Sequence, residues 1–246
     1  MNALVTGLNG TVAPPLARAL ADGGHTVVGW DRAAVPPDDP EAARAFLDRE
    51  RPDAVFHLAT GSPDWAALVA GLCAEAGTGF LFTSSVSVFA ASQRGPHTVD
   101  ATPAPEDDYG RYKLACEQRV QEAHPGAHVV RIGWQIGSGP GGNQMVDHLE
   151  RTHDREGRIQ ASTAWFQACS FLDDTAEALV RVLQALPAGL YHLDGNPGLS
   201  FYTIATALNA LHGDRWRVEP ADAPALDNRL EDPRVPVRPI TERLRV

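Results

Sequence analysis

Short apolar runs alternate with amphipathic stretches of helix length through the first half of the chain. Residues 2–6, 25–30, 53–59, 79–84 and 128–132 form runs apolar enough for strands covered on both faces. Residues 11–22, 40–50, 64–76 and 107–122 instead repeat their apolar positions every three or four residues, as helices do. Strand and helix taking turns in this way predict a parallel sheet with helices on both sides, an α/β Rossmann-like doubly wound fold. Beyond Gly133 the texture changes to a Gly/Pro-rich stretch at 137–142 and a charged helical stretch at 145–156, which places a junction near residue 137. Helical period returns at 173–185 and 200–211, with a strand at 189–193 between them. From Pro220 onward little period remains, and the tail is expected to be mostly irregular.

Composition narrows the class. The 246 residues supply enough chain for a sizeable core, and 31 acidic against 21 basic residues give a net charge of −10. A broad contact with a phosphate backbone would work against that charge, so no nucleic acid partner is expected. Cys73, Cys116 and Cys169 are far apart and odd in number, which fits a reducing cytoplasm better than a disulfide framework. The opening residues lack a basic stretch leading into an apolar one, and no segment reaches the ~20 apolar residues of a membrane helix. A cytoplasmic protein with no membrane partner is the expectation.

Thr6-Gly7-Leu8-Asn9-Gly10-Thr11-Val12-Ala13 follows the first strand and opens the first helix. Glycines there let the backbone turn tightly and approach a pyrophosphate, whose charge meets the amides and the positive dipole end of the helix. Pro14 and Pro15 are tolerated in a first turn, where no intrahelical N–H is required. Asp31 ends the second strand 21 residues beyond Gly10, the spacing at which an acid meets adenosine ribose hydroxyls. That favours NAD as cofactor. Arg32 follows at once and is suited to a 2′-phosphate, so NADP stays open.

Tyr109 and Lys113 stand four residues apart, on one face of a helix. A phenol near its ordinary pKa of ~10 is a poor acid–base group at neutral pH, and the neighbouring ammonium together with a bound cofactor's positive nicotinamide is the available means of lowering it. Thr83-Ser84-Ser85 closes the fourth strand at the carboxyl edge of the sheet, where ligands of open α/β sheets bind. A hydroxyl there can hold a substrate carbonyl.

These segments, with Arg51-Pro52-Asp53-Ala54-Val55-Phe56-His57-Leu58-Ala59, Val88-Phe89, Ser170-Phe171-Leu172-Asp173-Asp174 and Gly189-Leu190-Tyr191-His192-Leu193, resemble the extended branch of the short-chain dehydrogenase/reductase superfamily. The later strand and helix look like those of dTDP-4-dehydrorhamnose reductase relatives. The resemblance implies an NAD(P)-dependent reductase or epimerase acting on a nucleotide-activated sugar. It makes Ser85 the carbonyl-binding hydroxyl, Tyr109 the acid–base, and Lys113 the group that binds nicotinamide ribose and tunes Tyr109. The dinucleotide would lie across Thr6, Gly7, Asn9, Gly10, Asp31, Arg32, Leu58 and Ala59. The architecture implied is a Rossmann domain of 1–136 and 171–194 with a small substrate lobe of 137–170 and 195–246, and a homodimer is possible within it. Three departures stand out. The connection from Ala59 to Phe82 is short, the helix at 64–76 has no Asn to support a proton relay, and Ser85 is followed by Val86-Ser87 where sugar dehydratases carry an acidic pair. Elimination therefore lacks its acid and base. The shortened segment also motivates a second hypothesis, a cofactor-binding sensor or scaffold without chemistry.

Further candidates lie past the junction. Ser87, Asn143, Gln144 and Arg151 are candidate substrate contacts, and Arg151 with Arg155 and Arg158 either meets a diphosphate or laces a solvated helix with ion pairs. Trp165 and Phe166 either stack on a base or sugar or pack a core. The nine histidines show no metal-ligand spacing, so no metal is expected.

Overall fold

The computed structural model describes residues 1–139 and 141–245. Its first part runs β1 (Asn2–Thr6), α1 (Ala13–Asp22), β2 (Thr26–Gly29), α2 (Pro40–Glu50), β3 (Ala54–His57), α3 (Pro63–Ala76), β4 (Gly79–Ser85), β5 (His97–Thr98), α4 (Asp108–Ala123) and β6 (His128–Ile132). There follow β7 (Trp134–Ile136), α5 (Met145–Glu156), β8 (Ile159–Ser162), β9 (Trp165–Gln167), β10 (Cys169–Phe171), α6 (Leu172–Ala185), β11 (Gly189–Leu193) and α7 (Phe201–Leu211), then β12 (Val218–Ala221), β13 (Leu226–Asn228) and β14 (Leu230–Glu231). The helices start where their sequences supply caps: side chains of Asp39, Ser62, Asp107 and Ser200 accept from backbone N–H groups of the first turns they open. Pro40 and Pro63 stand at first helical positions, where no N–H is needed.

Six strands form one all-parallel sheet in the order β2-β1-β3-β4-β6-β11. The chain leaves β1 toward β2 and then crosses back to place β3 on the other side. The loops after β1 and β3 therefore part from each other and leave a crevice at the carboxyl edge. Alternate residues serve the two faces. Leu4, Val55, Phe80, Phe82 and Val129 pack with Phe46, Trp65, Val69 and Val120 of the helices on one side, and Val5, Phe56, Leu81 and Val130 with Leu16, Leu20, Leu179 and Val182 on the other. Each such side chain, fully buried, contributes about 1.5–3 kcal/mol. α4 is fixed to the sheet by a buried pair as well: Arg131 Nε and Nη2 donate to Glu117 Oε1 and Oε2 at 2.9 and 2.7 Å.

A third cluster gathers Ile136, Met145, Leu149, Ile159, Phe171, Phe201, Ile204, Leu208 and Trp216. Short parallel pairs frame it, β7 with β10, β8 with β12, and β9 with β13. The tail from Pro220 is mostly irregular, as expected, but the short strands β12, β13 and β14 that touch or lie within it all pair. They are two to four residues long, one contains Pro220, and their order comes from partners more than 50 residues away, so no local period announces them. The tail also divides. Leu230 packs with Val88 and Phe89, and Val235 joins the core under the large sheet, while Ile240 and Leu244 return to the third cluster. The three cysteines are buried and unpaired, and among the described residues no helix is long and apolar enough to cross a membrane.

Candidate active site

A cleft of about 1180 Å³ opens at the carboxyl edge of the sheet, between it and the third cluster. Its floor is the turn after β1. Gly7 takes φ +79°, and a Cβ there would sit 3.0 Å from Ala59 Cα, so the glycine is required both by conformation and by the approach of the β3 loop. Gly10 N–H donates to the Gly7 carbonyl at 2.7 Å and closes the turn. Val12 opens α1 without a side-chain cap, which leaves the positive end of the helix to the cleft. Asn9, Leu58, Ala59, Asp31 and Arg32 line the same half. Asp31 accepts from Ala33 N–H at 2.9 Å, while Arg32 donates to the Thr60 carbonyl and lies 4.7 Å over the Trp65 ring.

Thr6 does not line the cleft. It is fully buried, and its hydroxyl oxygen accepts from the N–H groups of Leu58 and Ala59, each at 3.0 Å. It shapes the crevice from beneath by holding the end of β3 against β1. Thr6→Val keeps the shape and strips both donors of their partner, with an expected loss of about 2–3 kcal/mol, read as a lower urea midpoint.

The opposite wall carries the hydroxyl, phenol and ammonium. Gly110 lets α4 close on the turn after β4, since a Cβ there would meet the Ser87 carbonyl at 2.0 Å; the residue beside it is Tyr109. Ser85, Ser87, Tyr109 and Lys113 all line the cleft. Ser85 Oγ accepts from Ser87 N–H and lies 3.1 Å from Ser87 Oγ. Lys113 Nζ donates to the Thr83 carbonyl at 2.8 Å and lies 5.9 Å from the centre of the Tyr109 ring.

Without a ligand in the cleft, desolvation of its hydroxyl holds the phenol of Tyr109 above its ordinary pKa, with the Ser85 hydroxyl pulling the other way. The ammonium is itself desolvated, which brings Lys113 down to about 8. Tyr109 therefore enters this site as a protonated phenol. Tyr112, its neighbour, accepts from Gly61 N–H at 2.9 Å and serves the loop after β3.

Two candidate substrate contacts fall outside the cleft. Gln144 is buried and its amide closes the Gly-rich loop, accepting from Gly137 and Val146 N–H and donating to the Gly139 and Gly141 carbonyls. Arg151 is exposed and paired with Asp147 at 2.8 Å. Asn143 does line the cleft, and its N–H donates to Thr11 Oγ1, tying the Gly-rich loop to the floor. Trp165 is both wall and packing, whereas Phe166 lies under Arg229 away from the cleft. Sequence reading missed Trp134, Gln135, His148, Gln167 and Asn228. The one signal available was position: Trp134 and Gln135 follow β6 just past the carboxyl edge. Among the described residues no cluster of His, Cys, Asp and Glu could hold a metal ion.

His57, at the end of β3, is buried against Trp65, with ring centres 4.6 Å apart. Desolvation first, then Lys113 and Arg32, lower its pKa to about 3. The unfolded imidazole takes a proton near pH 6.5 and the folded one does not, so this contribution to stability is lost as pH falls from 6.5 toward 3. The full loss is on the order of 5 kcal/mol. His57→Phe is expected to flatten the acid limb of the urea midpoint plotted against pH.

The parallel sheet, the glycine turn at its switch point and the Ser-Tyr-Lys wall define a doubly wound protein of the extended short-chain dehydrogenase/reductase type. Within that class the chain belongs to the RmlD substrate binding domain family, which matches residues 63–237. It is 28% identical over 241 residues to the dTDP-4-dehydrorhamnose reductase of Mycolicibacterium smegmatis, covering 88% of this chain and 71% of the relative. The dTDP-4-dehydrorhamnose reductase of Bacillus anthracis in complex with NADP superposes with a TM-score of 0.79 at 20% identity, covering 90% of this chain and 85% of that one. The Bordetella bronchiseptica enzyme WbmH in complex with NAD+ superposes with a TM-score of 0.77 at 18% identity, covering 98% and 95%.

Proposed function

We propose that this protein is an NAD(P)-dependent oxidoreductase that reduces the keto carbon of a nucleotide-activated sugar. The observation that carries the reading is the convergence of Ser85, Tyr109 and Lys113 on one wall of the cleft that the Gly7 turn floors. The residues fit a dinucleotide: a cradle a Cβ would fill at Gly7, an uncapped helix start, and an acid at the end of β2. Gly7, Asn9 and Gly10 with the start of α1 would hold the pyrophosphate, Asp31 the adenosine ribose, and Leu58 and Ala59 the wall between them. Reduced nicotinamide, when bound, supplies the hydride. The Ser85 hydroxyl holds the carbonyl oxygen, and Tyr109, kept protonated by its raised pKa, gives that oxygen its proton. Lys113 spends one of its three N–H groups on Thr83 and has two left for the nicotinamide ribose. Residues 137–170, with the parts of 195–246 that join the third cluster, form the substrate lobe.

Asp31 supports NAD over NADP, because Arg32 is already engaged by Thr60 and Trp65. The same residues serve net reduction and internal epimerisation, which differ in whether the cofactor leaves after each turnover. A sensor without chemistry would leave the Ser-Tyr-Lys wall unused. Incubation with NADH or NADPH and a dTDP-4-keto-6-deoxyhexose is expected to consume reduced nicotinamide, faster with NADH. Tight dinucleotide binding with no turnover on a panel of keto sugars would contradict the reading, and nicotinamide retained through desalting would turn it to epimerisation.

A further inference from the structure

Ser87 enters the wall by the same contact that brings in Tyr109. A Cβ at Gly110 would meet the Ser87 carbonyl at 2.0 Å, so the first turn of α4 rests on the backbone of Ser87. The rest of the turn is fixed as well: Phe89 N–H donates to the Val86 carbonyl at 3.0 Å, Ala104 N–H donates to the Val88 carbonyl at 2.9 Å, and Val88 is fully buried. Ser87 itself is half-buried and lines the cleft. It touches Ser85 twice. Ser87 N–H donates to Ser85 Oγ at 3.1 Å, and the Ser85 hydroxyl donates to Ser87 Oγ at 3.1 Å.

A serine hydroxyl has one proton and two lone pairs. Ser85 points its proton at Ser87 Oγ and accepts from Ser87 N–H on one lone pair. A carbonyl oxygen only accepts, so Ser85 holds one only after turning that proton away from Ser87. Ser87 Oγ then loses its donor but keeps an O–H of its own, within reach of the second lone pair of Ser85. With both protons turned the same way, Ser87 donates to Ser85 and Ser85 to the carbonyl. A hydroxyl that accepts a hydrogen bond becomes a stronger donor. The gain is largest once the oxygen carries the charge that hydride transfer places on it.

We propose that Ser87 is a positioning residue for carbonyl reduction, its hydroxyl donating to Ser85 Oγ while Ser85 donates to the substrate oxygen. The inference rests on the reading above for the reaction, and it makes Ser87 act through Ser85 where a direct substrate contact was expected.

The test is single-turnover oxidation of NADH by a dTDP-4-keto-6-deoxyhexose, with KM and NADH affinity measured alongside, in wild type, Ser87→Ala, Ser87→Thr, Ser85→Ala and the double alanine variant. Ser87→Ala keeps the backbone N–H that places Ser85 Oγ and removes only the hydroxyl. It is expected to slow hydride transfer about fivefold, with KM and NADH affinity within about twofold of wild type. Ser87→Thr, which restores an O–H, is expected to recover most of the rate. In the Ser85→Ala background the Ser87→Ala change is expected to add nothing, because the group it acts through is gone. An unchanged rate in Ser87→Ala, a raised KM at unchanged rate, or an undiminished loss in the Ser85→Ala background overturns the inference and leaves the reaction standing. No oxidation of NADH or NADPH by wild type overturns the reaction, and the inference falls with it.

Discussion

Tyr109→Phe is expected to lower kcat for carbonyl reduction by about a thousandfold while leaving dinucleotide affinity within a few-fold of wild type. The substitution removes one hydroxyl from a ring that is 47% exposed, so neither a cavity nor an orphaned buried partner accompanies it. What disappears is the proton that the alkoxide oxygen takes up as hydride arrives at carbon. Ser85→Ala, which removes a hydrogen bond to the same oxygen, is expected to cost less, about tenfold to a hundredfold. Steady-state rates with saturating NADH distinguish the two. A Tyr109→Phe enzyme within threefold of wild type would remove the phenol from the chemistry. Above pH 8, where Lys113 loses its proton, kcat/KM is expected to fall, because the ammonium then ceases to support the nicotinamide ribose.

The largest expected loss of stability lies behind that wall. Glu117 and Arg131 are 5% and 3% exposed at the side chain and bond in two places. Removing one partner, as in Arg131→Met, leaves a carboxylate buried and unpaired, at an expected cost of about 3–5 kcal/mol. The double replacement Glu117→Leu with Arg131→Met leaves no buried charge and is expected to regain most of it. α4 carries Glu117 as well as Tyr109 and Lys113, so the single variant is also expected to lose activity as the helix shifts. Urea midpoints of the two singles and the double complete the cycle; additive losses would show that the pair does not act as a unit.

Much of the dinucleotide half was legible because its requirements are local. A strand, two glycines and a helix start must be adjacent in the chain to make one turn, and Tyr109 and Lys113 share a helix face by their spacing. The central sheet was equally plain, since strands buried on both faces need unbroken apolar runs. The substrate half was hidden for the opposite reason. Trp134, His148, Trp165, Gln167 and Asn228 come from four segments whose only relation is tertiary packing, the helix α5 and the three-residue strands β7, β9 and β13. Gln144 and Arg151 misled because a polar side chain near a Gly-rich loop reads alike whether it faces a ligand, closes the loop, or pairs on the surface. Thr6 misled by one layer: it stands next to the turn yet points beneath it.

The central claim is that the Gly7 turn holds a dinucleotide against the Tyr109 wall. Calorimetric titration of NADH into wild type and into a folded Gly7→Val variant tests it most directly, because a side chain there meets Ala59 at once. One site per chain in wild type and none in the variant is the expected result. Equal binding by both proteins, or no binding of NADH or NADPH by wild type, would contradict the account.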